Sequence, residues 1–86
     1  MEYNIKIIII LNMRKTIFTE DHKYLVEKLK KARLENGFDQ KQVADLLKKT
    51  QSFISKIESG QRRVDIIQLR EFSEIYKKPL SYFIKQ

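Results

Sequence analysis

The sequence predicts an all-α fold of five helices in one small domain. Apolar residues recur at intervals of three and four along several segments, which is the spacing of one helix face. Residues that can cap a helix stand directly before these segments. Only two glycines and one proline occur in 86 residues, so few β-turn signals are present. Because 42% of the residues are hydrophobic and none is cysteine, we expect a single modest core without disulfides.

Residues 1–18 are predicted to form an arm, and residues 19–86 the helical domain. Ile5 to Leu11 is a β-branched apolar run. It is too short to cross a bilayer, which takes about 20 residues, and it lacks the basic leader and cleavage site of a signal peptide. Two interpretations stay open. The run is either a short strand that packs on the domain or pairs with its copy in a dimer, or an upstream extension with Met13 as the natural start.

The first helix is predicted from about Glu20 to Glu35. Thr19 is a suitable N-cap, and acidic residues follow it in the first turn, where they favour the helix dipole. Gly37 can adopt the left-handed conformation that ends many helices. Residues on the inward face at helical spacing are Leu25, Val26, Leu29, Ala32 and Arg33.

Two short helices with a turn of about three residues between them come next. Asp39 and Gln42 have the spacing of a capping box and predict the start of the second helix. This helix is expected to end near Leu47 or Lys48, and Thr50 is the predicted N-cap of the third. The apolar stripe of the second helix contains Val43, Leu46 and Leu47, beside the small Ala44.

The third helix has two unlike faces. A step of 100° per residue places Phe53, Ile54 and Ile57 on one side. The other side carries no hydrophobic side chain and no acid. Its amides, hydroxyls and ammonium suit an anionic, hydrogen-bonding surface such as DNA base edges and phosphates. These polar residues are Gln51, Ser52, Ser55, Lys56 and Ser59.

A fourth helix is predicted from about Ile66 to Tyr76. Asp65 and Gln68 form a second capping box before it, and Pro79 stops the chain from continuing as a helix. Its apolar stripe is predicted to contain Ile66, Leu69, Phe72, Ser73 and Tyr76. Ser81 is expected to cap a final short helix whose side chains serve the core or a dimer contact, namely Tyr82, Phe83 and Ile84.

The charge and the residue types of the chain favour some classes of function over others. The net charge is +7 and the pI about 9.7, which favours a polyanionic partner. The basic residues do not follow one amphipathic stripe, which disfavours a membrane surface. His22 is the single histidine, so a metal site is not expected. The sequence contains no nucleophile–base pair, glycine-rich phosphate loop or carboxylate cluster, which argues against an enzyme or a cofactor. A cytoplasmic location is the natural expectation.

Two stretches, Gly37 to Ala44 and Ile54 to Gly60, resemble the Cro and phage-repressor (Xre-type) helix-turn-helix family. The family pattern has a Gln that opens the second helix, an Ala in its middle, and I-x-x-I/L-E-x-G at the end of the third, all present here. The resemblance covers about Leu25 to Ile84 and implies a lambda-repressor-like domain that binds double-stranded DNA. The family commonly has Gly where this chain has Lys48, and a positive φ is more costly for lysine.

The resemblance also implies a role for each matching residue. The residues that reach base edges are Gln51, Ser52, Ser55 and Lys56. Those that contact phosphates are Gln40, Thr50, Arg62 and Arg63, with Lys48 and Lys49 as weaker candidates. For Thr50 the cap is the first role and phosphate contact the second, and for each of the others the plainer alternative is a solvated side chain. The family pairs the positions of Arg33 and Glu58 in a partly buried salt bridge, which serves the fold.

Two functional hypotheses follow. The first is a sequence-specific transcriptional regulator, a repressor that binds an inverted-repeat operator as a homodimer; a restriction–modification controller is a variant of it. The candidate dimer contacts are the final turn and the N-terminal arm. The alternative is an antitoxin-like interaction module that neutralises a partner protein, a toxin, and autoregulates its operon. A neighbouring toxin gene favours the second hypothesis.

Overall fold

The computed structural model describes residues 19–86, so the predicted arm, with Ile5–Leu11 and Met13, lies outside the described residues. This part of the chain contains helices and no strand. The elements are α1 (Glu20–Glu35), α2 (Gln40–Leu47), α3 (Gln51–Glu58), α4 (Ile66–Tyr76) and the 3-10 helix η1 (Leu80–Phe83). The predicted five-helix, all-α fold is confirmed, with a 3-10 helix as its fifth member.

Every α-helix begins directly after the residue that the sequence predicts as its N-cap. The hydroxyls of Thr19 and Thr50 each accept a hydrogen bond from the backbone N–H three residues later, at 3.1 Å. These bonds satisfy N–H groups that have no partner inside the helix. In both predicted capping boxes, the two reciprocal bonds between side chain and backbone are present. The boxes consist of Asp39 with Gln42 and Asp65 with Gln68.

One hydrophobic core joins all five elements. Each large side chain that it removes from water contributes roughly 1.5–3 kcal/mol, most of which offsets the entropy lost on folding. Asn36 ties the end of α1 to the end of α4, because its amide donates to the carbonyls of Ala32 and Tyr76. The largest fully buried side chains are Tyr76, Phe72, Phe83, Leu29, Ile54, Ile57 and Val43.

Two residues predicted for the apolar stripes are exposed instead. Leu46 is 54% exposed, because the side of α2 that faces the core is centred on Val43 and Ala44 and does not extend around the helix as far as Leu46. Ile66 is 62% exposed, since α4 first reaches the core one turn later. Both predictions were therefore wrong, and apolar surface remains on α2 and on the first turn of α4.

The predicted cap of the final helix was also wrong. Pro79, not Ser81, precedes η1, and no side chain caps it. The proline has φ −68° and an extended ψ of 155°, so it enters the turn in the conformation that its ring imposes. The N–H of Tyr82 then donates to the carbonyl of Pro79 at 3.0 Å. Ser81 consequently lies inside the turn.

Tyr76→Phe is expected to stabilise the domain, and more so at high pH. The Tyr76 hydroxyl is buried, and no group in residues 19–86 hydrogen-bonds it, so its removal should cost nothing or add up to about 1 kcal/mol at pH 7. Burial raises the pKa of Tyr76 above its ordinary value of 10.0. The unfolded chain therefore ionises this tyrosine first, and the wild type loses stability as the pH rises above about 10.

Urea unfolding at pH 7 and at about pH 10.5 measures this effect. The advantage of the variant over the wild type should grow by about 0.8 kcal/mol between the two pH values. An advantage that stays constant with pH would show that the hydroxyl is hydrated in the folded state.

Candidate nucleic-acid interface

The turn between α2 and α3 consists of Lys48, Lys49 and Thr50. Lys48 has φ 56° and ψ 45°, the left-handed conformation. The N–H of Lys49 donates to the carbonyl of Ala44 at 2.8 Å and closes the end of α2. The helix-turn-helix geometry therefore forms with a lysine at the position where glycine is usual.

Lys48→Gly is expected to raise the free energy of unfolding by roughly 0.5 kcal/mol. Glycine removes a left-handed strain of about 1–2 kcal/mol, and the greater freedom of the unfolded chain cancels part of that gain. Lys77→Gly is a matched control, because Lys77 has φ 56° at the end of α4, outside the turn. Both variants lose one positive charge, so both should gain alike in urea unfolding. A loss of stability in Lys48→Gly alone would mean that the lysine side chain supports the turn.

α3 buries one face and presents the other to solvent. Ile54 and Ile57 are fully buried. On the opposite face, all four predicted base-contact residues are exposed. Within residues 19–86, no hydrogen bond occupies the side chains of Gln51, Ser52 or Ser55, so their amide and hydroxyl groups remain available to a ligand. The structure thus brings Gln51, Ser52, Ser55 and Lys56 together on a single accessible surface.

Two predicted phosphate-binding residues have roles within the fold. Thr50 accepts the capping bond from the N–H of Phe53, and its own O–H remains able to donate outward. Gln40, the first residue of α2, donates one amide N–H to a carboxylate oxygen of Glu58 at 3.1 Å. Its second N–H and its carbonyl are unused by that bond. Gln40 is therefore held in position while it keeps one donor for a phosphate.

Arg33 and Glu58 form an ion pair that joins α1 to α3. The guanidinium donates to the two carboxylate oxygens at 2.7 and 3.0 Å, and a third N–H donates to the carbonyl of Phe38 at 2.9 Å. The two side chains are only 9% and 5% exposed. The hydrogen bond with Glu58 raises the pKa of Arg33 above its ordinary value despite the opposing effect of burial. The pair fixes the end of α3 against the rest of the domain.

The loop after α3 is attached to the domain at two points. Gly60 has φ 83°, and its carbonyl accepts a hydrogen bond from Nε2 of the buried His22 at 3.2 Å. Arg62 lies against Phe53 of α3, with its guanidinium carbon 4.8 Å from the ring centroid. Lys49, before α3, has its ammonium 5.3 Å from the same ring. Sequence reasoning identified none of these contacts, because each joins residues that lie apart in the chain or on different elements.

The predicted phosphate contacts Arg62 and Arg63 are both exposed in this loop. They lie directly beyond the C-terminal end of α3, whereas Thr50 and Lys49 lie at its N-terminal end. Basic and hydroxyl groups thus stand at both ends of the exposed polar face. Cations and hydroxyls are groups that commonly donate hydrogen bonds to phosphates.

A cavity of about 320 Å³ opens beside the first turn of α1, with Leu25, Val64, Leu69 and Phe83 among its lining residues. No group of three His, Asp or Glu side chains within residues 19–86 is arranged to hold a metal ion. None of the described helices is long and apolar enough to cross a membrane.

A comparison with protein families agrees with this geometry. A helix-turn-helix family model matches residues 29–83, which is well over half of the chain and runs from α1 to the end of η1. A comparison with curated proteins gives no match. The match includes the turn of Lys48 to Thr50 and the whole of α3. The chain belongs to the Cro/C1-type, Xre-like helix-turn-helix family of DNA-binding transcription regulators.

Proposed function

We propose that this protein is a repressor that binds an inverted-repeat operator as a homodimer in the cytoplasm. The observation that supports this most strongly is the outward face of α3, where four exposed polar side chains stand over two fully buried isoleucines. α3 is inserted into the major groove in this proposal, since each base pair shows a distinct donor and acceptor pattern there.

Base reading and phosphate binding are assigned to different residues. Gln51, Ser52, Ser55 and Lys56 contact base edges, because they lie along the exposed side of α3. Their hydrogen-bonding groups provide the discrimination between sequences. Phosphate contacts provide most of the affinity that is independent of sequence, and the net charge of +7 favours them. They are assigned to Gln40, Thr50, Arg62 and Arg63.

Selection of bound sites from random duplex DNA, followed by sequencing, tests the proposal. The selected sites should contain an inverted repeat whose half-sites are about one helical turn apart, ~34 Å. A reporter gene with the selected site in its promoter should be expressed less when the protein is present. Selection that enriches no sequence would contradict specific binding. Raised expression of the reporter would contradict repression but not DNA binding.

A dimer would read more base pairs than a monomer, and the domain has exposed apolar side chains that a second copy could contact. A single helix-turn-helix reads too few base pairs to select one site in a genome, and a two-fold dimer doubles the number. Of the predicted final turn, Phe83 is buried, whereas Ile84 is 49% exposed. Ile67, on the first turn of α4, is 58% exposed. These two isoleucines are the test positions for contact with a second copy.

Ile84→Lys is expected to weaken the dimer, because Ile84 belongs to the predicted contact, and Ile67→Lys tests the first turn of α4 as the alternative contact. The substitution that lies in the contact should yield a monomer in sedimentation equilibrium at a concentration where the wild type is dimeric. Leu34→Lys is the control, because Leu34 is 59% exposed on α1. All three substitutions are at exposed positions, so the fold should persist in each. A wild type that is monomeric even on DNA would contradict the dimer.

A further inference from the structure

The ring of Phe53 lies against two cations that belong to different parts of the chain. Lys49 precedes α3, and Arg62 follows it, yet their charged groups are 5.3 and 4.8 Å from the same ring centroid. The two charges are consequently within about 10 Å of each other. Like charges at this distance repel, since it is no longer than the screening length of about 10 Å at 0.1 M salt. Attraction of each cation to the ring face opposes that repulsion.

The backbone around this ring is held independently. The N–H groups of Gln61 and Arg62 both donate to the carbonyl of Lys56, at 2.9 and 3.2 Å. His22 holds the preceding residue, Gly60, through its carbonyl. Phe53 itself is half-buried and packs against the core from α3. The ring is thus held in place by the fold, and it offers both exposed cations a contact at the same position.

We infer that Phe53 is a positioning residue that holds Lys49 and Arg62 together as one binding site for the DNA phosphate backbone. The inference rests on the proposed DNA binding and adds a residue that presents no polar atom to the ligand. The two cations reach the site from opposite ends of α3, so one phosphate strand that passes beside this helix meets both of them. Binding of the anion relieves their mutual repulsion, and the ring limits the side-chain entropy that they lose.

The test measures binding of the full chain to random-sequence duplex DNA over a range of salt concentrations. Lys49→Gln with Arg62→Gln should reduce the slope of log affinity against log salt by about two units, one for each phosphate contact. Phe53→Leu keeps an apolar side chain but removes the ring, and it should reduce the slope by about one unit or more. Phe53→Tyr keeps the ring and should retain the wild-type slope.

Two further variants separate positioning from folding. In the Lys49→Gln/Arg62→Gln chain, Phe53→Leu should change affinity less than twofold, because the ring acts only through these cations. Phe38→Leu is a matched control, since Phe38 is half-buried and packs on Tyr76 with ring centroids 6.4 Å apart. It should leave the salt slope unchanged. Thermal unfolding verifies that each variant is folded.

The outcomes are distinguishable. A folded Phe53→Leu with the wild-type slope, or with the same loss in the presence and absence of the two cations, would overturn the inference while DNA binding itself stands. A wild type whose affinity for DNA does not depend on salt would instead overturn the proposed function.

Discussion

Arg33→Ala is expected to lower the free energy of unfolding by about 3–5 kcal/mol, and Glu58→Ala by a similar amount. Each substitution leaves a buried charge without its partner. Loss of Arg33 leaves the Glu58 carboxylate with the single amide donor of Gln40, and loss of Glu58 leaves the guanidinium with the Phe38 carbonyl. Small domains have a total stability of about 5–15 kcal/mol, so either change removes much of it.

The expected effect comes from burial and not from the presence of an ion pair as such. Lys41 and Asp45 provide the comparison, because they form a pair at 3.7 Å with side chains that are 74% and 70% exposed. Lys41→Ala should therefore cost less than about 0.5 kcal/mol. Urea unfolding of the four single variants, with Asp45→Ala as the fourth, measures the contrast. Equal and small effects at all four positions would show that water reaches the Arg33–Glu58 pair.

A pH titration adds a second check on this pair. Because the pKa of Arg33 is raised in the folded state, the guanidinium keeps its stabilising charge at every pH below its unfolded pKa and loses it only in strongly alkaline solution. The stability lost in Arg33→Ala should therefore be the same at pH 8 and at pH 10. A loss that diminishes over this interval would indicate a deprotonation other than that of the arginine.

Local chemistry explains why the helix boundaries could be predicted from the sequence. Capping depends on residues three apart, and Thr19, Asp39, Thr50 and Asp65 each bond to the N–H that this spacing supplies. Family resemblance added the partnership of Arg33 with Glu58, 25 residues away, which no local rule supplies. The structure has these two side chains in direct contact.

The remaining features depend on tertiary structure. An eight-residue helix makes about two turns, so its periodicity could not show that Leu46 falls outside the buried arc. The bond from His22 to Gly60 spans 38 positions and has no signature in either segment. Phe53 was correctly placed on the apolar side of α3, but periodicity does not show which groups approach the edge of that side. The two cations reach its ring only because the turn and the loop flank α3 in space.

Gln51→Ala is expected to cost about 1–3 kcal/mol in binding to the best operator site. Gln51 is exposed at the first position of α3, beside Ser52 and Ser55. A glutamine carboxamide can accept from adenine N6 and donate to N7 at once, a combination that only adenine offers in the major groove. The loss should be confined to one base pair per half-site. Affinity for random DNA should hardly change, because phosphate contacts provide it.

The measurement is the affinity of wild type and variant for every single-base change of the half-site. Folding should be unaffected, since alanine is a good helix former at an exposed position. Gln86→Ala is the control, because Gln86 is an exposed glutamine that follows η1 and is not part of α3. It should leave all affinities unchanged. If Gln51→Ala instead lowers affinity equally for every base change, Gln51 contacts the backbone, and base reading belongs to Ser52, Ser55 or Lys56.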